Sequence, residues 1–399
     1  MGSPVGPGMP GPAVKGRRAL MGRPRAAHVR PLQRGGPGAK KGNFMELTEI
    51  LRIAVNEGAS DVFVVAGLPL TFKINGHQDR RGAVLMPDDT EAVIRALYQQ
   101  ARRDPEQHLN SPSVDDDFSF SMRDLGRFRA NVLRQRGSLA AVLRVIRFGL
   151  PDPAALGIPP QVLSFARRRQ GLVLVTGPAG SGKSTTLACM IDAINREREG
   201  HIITMEDPIE FIHHHNRCIV TQREIGTDTR TYVQALRGAL RESPDVILLG
   251  EMRDDETMEV AMQAAETGQL LFSTLHTTGA ANTMDRIIDA FPAARQGQVR
   301  VQLAMILQGV ISQQLVPTTD GGQTVAFEIM DSTPAIRTLI REDRTHQIDA
   351  SIQAGAALGM CTMDDSLAAL CRAGKITKET ALTYCLHLET MQRKLAGAM

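Results

Sequence analysis

The sequence predicts an α/β fold, a nucleotide-binding core on a mostly parallel sheet with a smaller α+β domain in front of it. Three observations carry the prediction. From residue 161 onward, apolar runs of strand length alternate with helical stretches, the pattern of a parallel sheet covered by helices. Between the first such run, Leu172-Val173-Leu174-Val175, and the first helix stands Gly177-Pro178-Ala179-Gly180-Ser181-Gly182-Lys183-Ser184, a full match to GxxxxGK[ST]. Before residue 149 the pattern is different: two helical stretches and several alternating strands with no such loop.

Taken in order, residues 1–43 hold ten Gly, seven Pro, nine Lys/Arg and no acidic residue. Such a segment cannot bury enough apolar surface to offset its ordering entropy, and a disordered basic tail is expected. Beyond it stand 37 basic and 43 acidic residues, so the body is mildly acidic and no nucleic-acid partner is expected. Cysteines 189, 218, 361, 371 and 385 form no CxxC pair, which points to neither a zinc site nor a disulfide framework. No apolar run of about 18 residues is present, and no transmembrane helix is expected. No secretory h-region is seen near the start, so the expected location is cytoplasmic.

A composition break at Asn43-Phe44-Met45 opens the first domain, 44–148. Leu47, Ile50, Leu51, Ile53 and Ala54 are spaced for a helix over 46–56, and a second helix is expected over 89–101. Strands are expected at 61–65 and 71–76, and three more at 118–122, 127–132 and 139–146. Alternation puts Arg127, Arg129 and Asn131 on one face of their strand, either a solvated face or one that meets a neighbour. The Gly/Pro-rich stretch 149–160 reads as a linker and hinge, and the second domain fills 161–399 with strands at 171–176, 201–205, 245–250 and 270–274.

The loop Gly177–Ser184 leads into Thr185 and a helix. Glycines let backbone N–H groups turn inward around phosphates, and the helix N-terminus adds positive partial charge. Lys183 is placed to reach the β- and γ-phosphates of ATP, and Ser184 to ligate Mg²⁺. Hydrolysis also needs carboxylates. Glu206, Asp207 and Glu210 follow the second strand of this domain, and Glu251 follows the third. An ordinary Walker B strand ends in Asp then Glu, whereas this one ends Gly250-Glu251. Glu251 is the candidate base that orients water. The metal-side acid must then come from Glu206, Asp207 or Glu210. His276, after the fourth strand, is placed to meet the γ-phosphate or the water. Three adjacent histidines, His213 to His215, cannot all face one ion from a strand and are not read as a metal site. Arg237 and Arg241, four apart on a helix predicted over 231–242, are candidates for charge neutralisation in trans.

Four blocks stand in fixed order: GPAGSGKST at 177–185, ITMEDPIEF at 203–211 with TQREIG at 221–226, DVILLGEMRD at 245–254 and TGQLLFSTLHT at 267–277. Together they resemble the secretion-type ATPases, and most closely the type IV pilus retraction ATPases of the PilT and PilU type. AIRTLIRE at 335–342 is similar to that branch's AIRNLIRE signature, with Thr338 in place of Asn. Gln269 stands where the family's His box has its first His. The chain also shows neither the four-cysteine zinc insertion nor the large extra N-terminal domain common in assembly ATPases. The resemblance implies a PAS-like first domain, a RecA-like core and a homo-hexameric, Mg²⁺-dependent ATPase motor that powers pilus retraction and twitching motility. It implies ATP between one subunit's core and the next subunit's first domain, with Arg127 and Arg129 as contacts in trans. The implied partners are an inner-membrane platform protein of the pilus and a paralogous retraction ATPase, at the cytoplasmic face of the inner membrane. The rival readings are a pilus assembly or type II secretion ATPase, a weakly active accessory ring subunit and a DNA-translocating motor.

Overall fold

A computed structural model describes residues 45–74, 76–111, 113–146 and 149–396. The predicted basic tail lies outside them. Residues Met45–Met399 form one compact unit that contains two sheets.

The first sheet is antiparallel, with strands β1 (Ala59–Val64), β2 (Pro69–Ile74), β3 (His77–Val84), β4 (Asp115–Met122), β5 (Gly126–Gln135) and β6 (Ser138–Ile146) in the order β3-β2-β1-β6-β5-β4. Helices α1 (Leu47–Asn56), α2 (Pro87–Gln100) and the short α3 (Pro105–Leu109) accompany it. Ile50 and Leu51 of α1, Ile94, Leu97 and Tyr98 of α2, and Phe72, Phe128 and Leu143 of the sheet are fully buried together. Burial at these apolar positions is the main stabilising term, at about 25 cal/mol per Å² removed from water. β5 shows the expected alternation: Phe128, Ala130 and Val132 point inward, while Arg127, Arg129 and Asn131 stay half-buried on the opposite face. The sequence missed β3 because HQDRRGAV is polar and almost wholly exposed, an edge strand with no apolar face to read.

After α4 (Pro160–Ser164) the second sheet begins. Its strands are β7 (Gly171–Thr176), β8 (Gly200–Glu206), β9 (Cys218–Glu224), β10 (Val246–Leu249), β11 (Leu270–Leu275), β12 (Leu307–Pro317) and β13 (Gln323–Asp331), in the order β13-β12-β7-β11-β10-β8-β9. All neighbours run parallel except β12 and β13. β7, β10 and β11 are buried along their whole length, as their unbroken apolar runs require for strands covered on both faces. Helices α5 (Lys183–Glu197), α6 (Tyr232–Ala239), α7 (Asp255–Glu266), α8 (Ala280–Asp289) and α9 (Ala293–Ile306) fill the connections. Past the sheet come α10 (Pro334–Arg341), α11 (Ile348–Ala354), α12 (Met363–Arg372), α13 (Lys378–Tyr384) and α14 (Leu388–Ala396).

Several expectations need correction. The second sheet has seven strands where four were read, because β9, β12 and β13 carry polar residues at half-buried positions. The single helix expected over 377–395 is two. Asp364 accepts the backbone N–H groups of Leu386 (2.8 Å) and His387 (3.1 Å), which breaks the chain there and starts α14. Helix α6 ends at Ala239, so Arg241 lies beyond it, and Arg237 pairs with Glu256 at 3.1 Å. The histidine run lies on the loop between β8 and β9 rather than on a strand.

Candidate active site

The central strand β7 delivers the glycine-rich loop to the carboxyl edge of the sheet, between β11 and β12, where ligands bind in open α/β sheets. The loop backbone explains its glycines. Gly177, Gly180 and Gly182 have φ of +139°, +76° and +88°, a region that other residues enter only with strain. Gly182 is the residue from which α5 starts, so the first free N–H groups of that helix face the loop. Lys183 is 8 % exposed, and its ammonium donates to the carbonyls of Gly177 and Pro178, both at 2.9 Å. Burial pulls the Lys183 amine below its usual range, while the negative charges of Glu210 and Glu251 oppose the shift.

On the adjacent strands the chain places Glu251 just past β10 and His276 just past β11. One Glu251 carboxylate oxygen lies 2.5 Å from the Arg253 guanidinium, and the other lies 3.5 Å from His276 Nε2. The Glu251 side chain is only 11 % exposed, whereas Arg253 and His276 are open to solvent. These three side chains, with Arg286, line a cavity of about 300 Å³. Sequence reading passed over Arg253, although its position two residues after Glu251 was visible.

The odd Gly250 has a structural cause. A methyl group placed on it would lie 2.8 Å from the Tyr232 hydroxyl, 3.1 Å from the Met205 carbonyl and 3.4 Å from Glu206 Cα. Tyr232 thus fills the space that a Walker B aspartate would take.

The four carboxylates of the Asp box and its partner strand go to different places. Glu206, Ser184, Gly250, Thr274 and His213 line one small cavity of about 30 Å³. Burial pushes the Glu206 carboxyl up to about 7, against hydrogen bonds from Thr204, Gln222 and the Glu210 backbone. His213 is 7 % exposed, and burial lowers its imidazole to about 4. Asp207 faces away from Ser184, into a cavity of about 450 Å³ shared with Arg103, Asp117, Arg129 and Glu224. Glu210 is exposed and borders a third cavity with Arg129 and Arg144.

Arg127 and Arg129 are not brought to the glycine-rich loop of their own chain. Arg127 crosses from the first sheet to the second and pairs with Glu224 at 2.8 Å. Glu224 is 2 % exposed and also accepts the Ile209 backbone N–H at 3.0 Å. Arg129 pairs with Asp117. Gln269, at the amino end of β11, accepts from Thr267 at 2.9 Å. It stands about 20 Å from His276 at ~3.3 Å per strand residue, so the family's missing histidine falls outside this edge of the sheet.

Residues 43–380 match the family described as Type II/IV secretion system protein. A Pseudomonas aeruginosa relative described as a type IV pilus retraction ATPase, PilT, is 45 % identical over 337 residues, which cover 84 % of this chain and 97 % of that protein. The type IV pilus ATPase PilU of the same organism is 42 % identical over 344 residues, covering 85 % of this chain and 88 % of PilU. A crystal structure of the pilus retraction motor PilT with bound ADP superimposes with a TM-score of 0.80 at 45 % identity, covering 88 % of this chain and 99 % of that one. The Legionella pneumophila ATPase DotB shares the fold at a TM-score of 0.69 and 24 % identity. The core is therefore RecA-like, and the chain belongs to the type II/IV secretion ATPases, in the branch of the type IV pilus retraction ATPases PilT and PilU.

Proposed function

We propose that this chain is an ATPase motor that powers type IV pilus retraction and twitching motility, working as a ring of six copies. The observation that carries the reading is its likeness, over 97 % of the relative's length, to a protein described as a retraction ATPase. The site is chemically suited to the work. Backbone N–H groups of the loop at 177–182 and the first turn of α5 hold the phosphates, and Lys183 exchanges its two carbonyl partners for phosphate oxygens. Ser184 and Glu206 are oxygen donors on one small cavity, the donor type that Mg²⁺ prefers, and they would hold the ion. The bound ion would supply neutralisation of phosphate charge. Glu251 orients the attacking water once it leaves Arg253, and His276 meets the γ-phosphate. Asp207 and Glu210, further out, tune the field at this edge.

The first sheet and the second act as two bodies, residues 44–148 and 161–399, joined through 149–160. In a ring, Arg127 and Arg129 serve the nucleotide of an adjacent copy. To do so Arg127 must leave Glu224, which links nucleotide arrival to movement of the two bodies. Force then passes to a platform protein of the pilus at the cytoplasmic face of the inner membrane, beside a paralogous retraction ATPase where one is present. Among the described residues no helix is long and apolar enough to cross a membrane.

The test is the number of surface pili in a strain lacking the gene, complemented with the wild type or Glu251→Gln. Excess pili removed by the wild type and not by the variant is the expected result. Bald cells would reverse the direction of the motor and favour an assembly ATPase. An unchanged count would leave an accessory role. In vitro, Glu251→Gln is expected to bind ATP and hydrolyse it about a hundredfold more slowly.

A further inference from the structure

Gln313, on β12, is 132 positions away from Ser181 in sequence and meets it in the fold. The Gln313 side chain is fully buried, and its Nε2 donates to the Ser181 carbonyl at 2.6 Å. The same residue defines two of the loop's glycines. A methyl group placed on Gly177 would sit 2.2 Å from the Gln313 carbonyl, and one on Gly182 would sit 3.2 Å from Gln313 Nε2. Three buried polar atoms behind the loop, Thr176 Oγ1, Ser181 Oγ and Gln313 Oε1, have no hydrogen-bond partner among the described residues. An amide that leaves its own oxygen unpartnered to hold one loop carbonyl is spending polar burial on that carbonyl.

We propose that Gln313 is a positioning residue for phosphate binding: its amide holds the Ser181 carbonyl turned inward to β12, so that the N–H groups of the loop face the phosphates. The reason is geometric. Each peptide carries a donor and an acceptor on opposite sides, so pinning a carbonyl behind the loop fixes the next N–H in front of it. A carbonyl released from Gln313 can rotate toward the phosphates and repel them. The contact acts on ground state and transition state alike, so its loss raises KM and leaves kcat nearly unchanged.

This inference rests on the reading of 177–184 as the nucleotide loop, and the experiment separates the two. The full chain is prepared as wild type, Gln313→Met, Gln314→Met and Lys183→Ala. ADP affinity is measured by calorimetry, kcat and KM by ATP turnover, and thermal midpoint without nucleotide by scanning. Methionine keeps the length of the side chain and removes the donor. Gln313→Met is expected to weaken ADP binding and raise KM about three- to tenfold, the worth of one net hydrogen bond, with kcat within about twofold. Gln314 is next in the chain and donates away from the loop, to the Tyr384 carbonyl at 3.3 Å, so Gln314→Met is expected to bind ADP as the wild type does. Lys183→Ala is expected to lose ADP binding. If it does and folded Gln313→Met binds ADP normally, the role of Gln313 is overturned and the loop reading stands. If Lys183→Ala binds normally, the loop reading itself fails. A Gln313→Met protein that only melts earlier, with ADP affinity and KM intact, would reduce Gln313 to packing and also overturn the proposal. If Gln313→Met does not fold, Gln313→Glu, which sets a carboxylate against the carbonyl, is read in the same assays with a loss of tenfold or more expected.

Discussion

Gly250→Ala tests whether Tyr232 is the reason for the atypical end of β10. The added methyl would approach the Tyr232 hydroxyl to 2.8 Å and the Met205 carbonyl to 3.1 Å. An ordinary carbon–oxygen contact is about 3.5 Å, so the neighbours must retreat by roughly 0.4–0.7 Å. Met205 is a strand residue whose carbonyl accepts the Gly250 N–H at 2.8 Å, and it yields little. Tyr232 sits at the start of α6, and its hydroxyl is the end of a long side chain that can swing only into packed core. Overpacking of this kind costs about 1–3 kcal/mol. Loss of glycine's freedom in the unfolded chain returns about 0.4–1 kcal/mol. The net expectation is a destabilisation of about 1–2 kcal/mol. Tyr232→Phe removes the nearest atom, so the same Gly250→Ala change made in that background is expected to cost less than half as much. The measurement is the urea midpoint of wild type, both single variants and the double variant, read with a common m-value. Equal cost in both backgrounds would refute the assignment to Tyr232. A Gly250→Ala protein as stable as the wild type would refute the close contact altogether.

Other expectations follow from the same contacts. Arg127→Ala strips Glu224 of its partner across the two sheets and is expected to cost about 3 kcal/mol, the usual effect of breaking a buried pair, and to speed proteolytic cleavage within 149–160. Wild-type cleavage rates in that variant would mean that the pair does not hold the two sheets together. Glu328 is 1 % exposed, accepts the N–H groups of Ala280 (2.6 Å) and Met363 (3.2 Å), and is pushed by burial from 4.5 to about 7. Because the folded state prefers the protonated acid, the stability it contributes is complete below about pH 4.5 and lost as pH rises through about 7. Relative to Glu328→Gln, the wild type should lose up to about 3 kcal/mol between pH 4.5 and 8, and a pH-independent difference would refute this.

The site was legible wherever one strand carries one residue to the sheet edge. Lys183, Glu251 and His276 each follow an unbroken apolar run, and burial of such a run leaves its last residue no place except the carboxyl edge. The Gly250-Glu251 oddity was visible too, but its cause was not, because Tyr232 reaches Gly250 from a different helix. Gln313 gave no sign, since only the pairing of β12 with β7 brings it behind the loop. The acids of the Asp box could not be sorted from spacing. The strand ends at Glu206, and the loop after it turns Glu206 toward Ser184 while Asp207 faces Arg129. The two arginines of β5 were placed correctly on one face, yet alternation alone names no partner for that face, and the one that Arg127 meets lies 97 residues further on.

Charge in this chain is satisfied internally at each point where the proposed reaction needs it. Lys183 donates to carbonyls of its own loop, Glu251 holds Arg253, and Arg127 holds Glu224. Each of these is a bond that phosphate, water or a neighbouring copy must replace. Exchange of one good partner for another has a small net free energy although each bond is strong, because the buried charge is never left bare. That is the condition for a cycle that runs forward on ATP and resets on product release: no state along it is so deep that it becomes a trap. The exposure of the partners fits this order. Arg253 is 70 % exposed and easily drawn off Glu251, whereas Arg127 is only 15 % exposed and its release requires the two sheets to separate. The Glu251 pair can therefore open within one subunit, and the Arg127 pair opens only with movement of the whole first sheet, which is where hydrolysis would become motion.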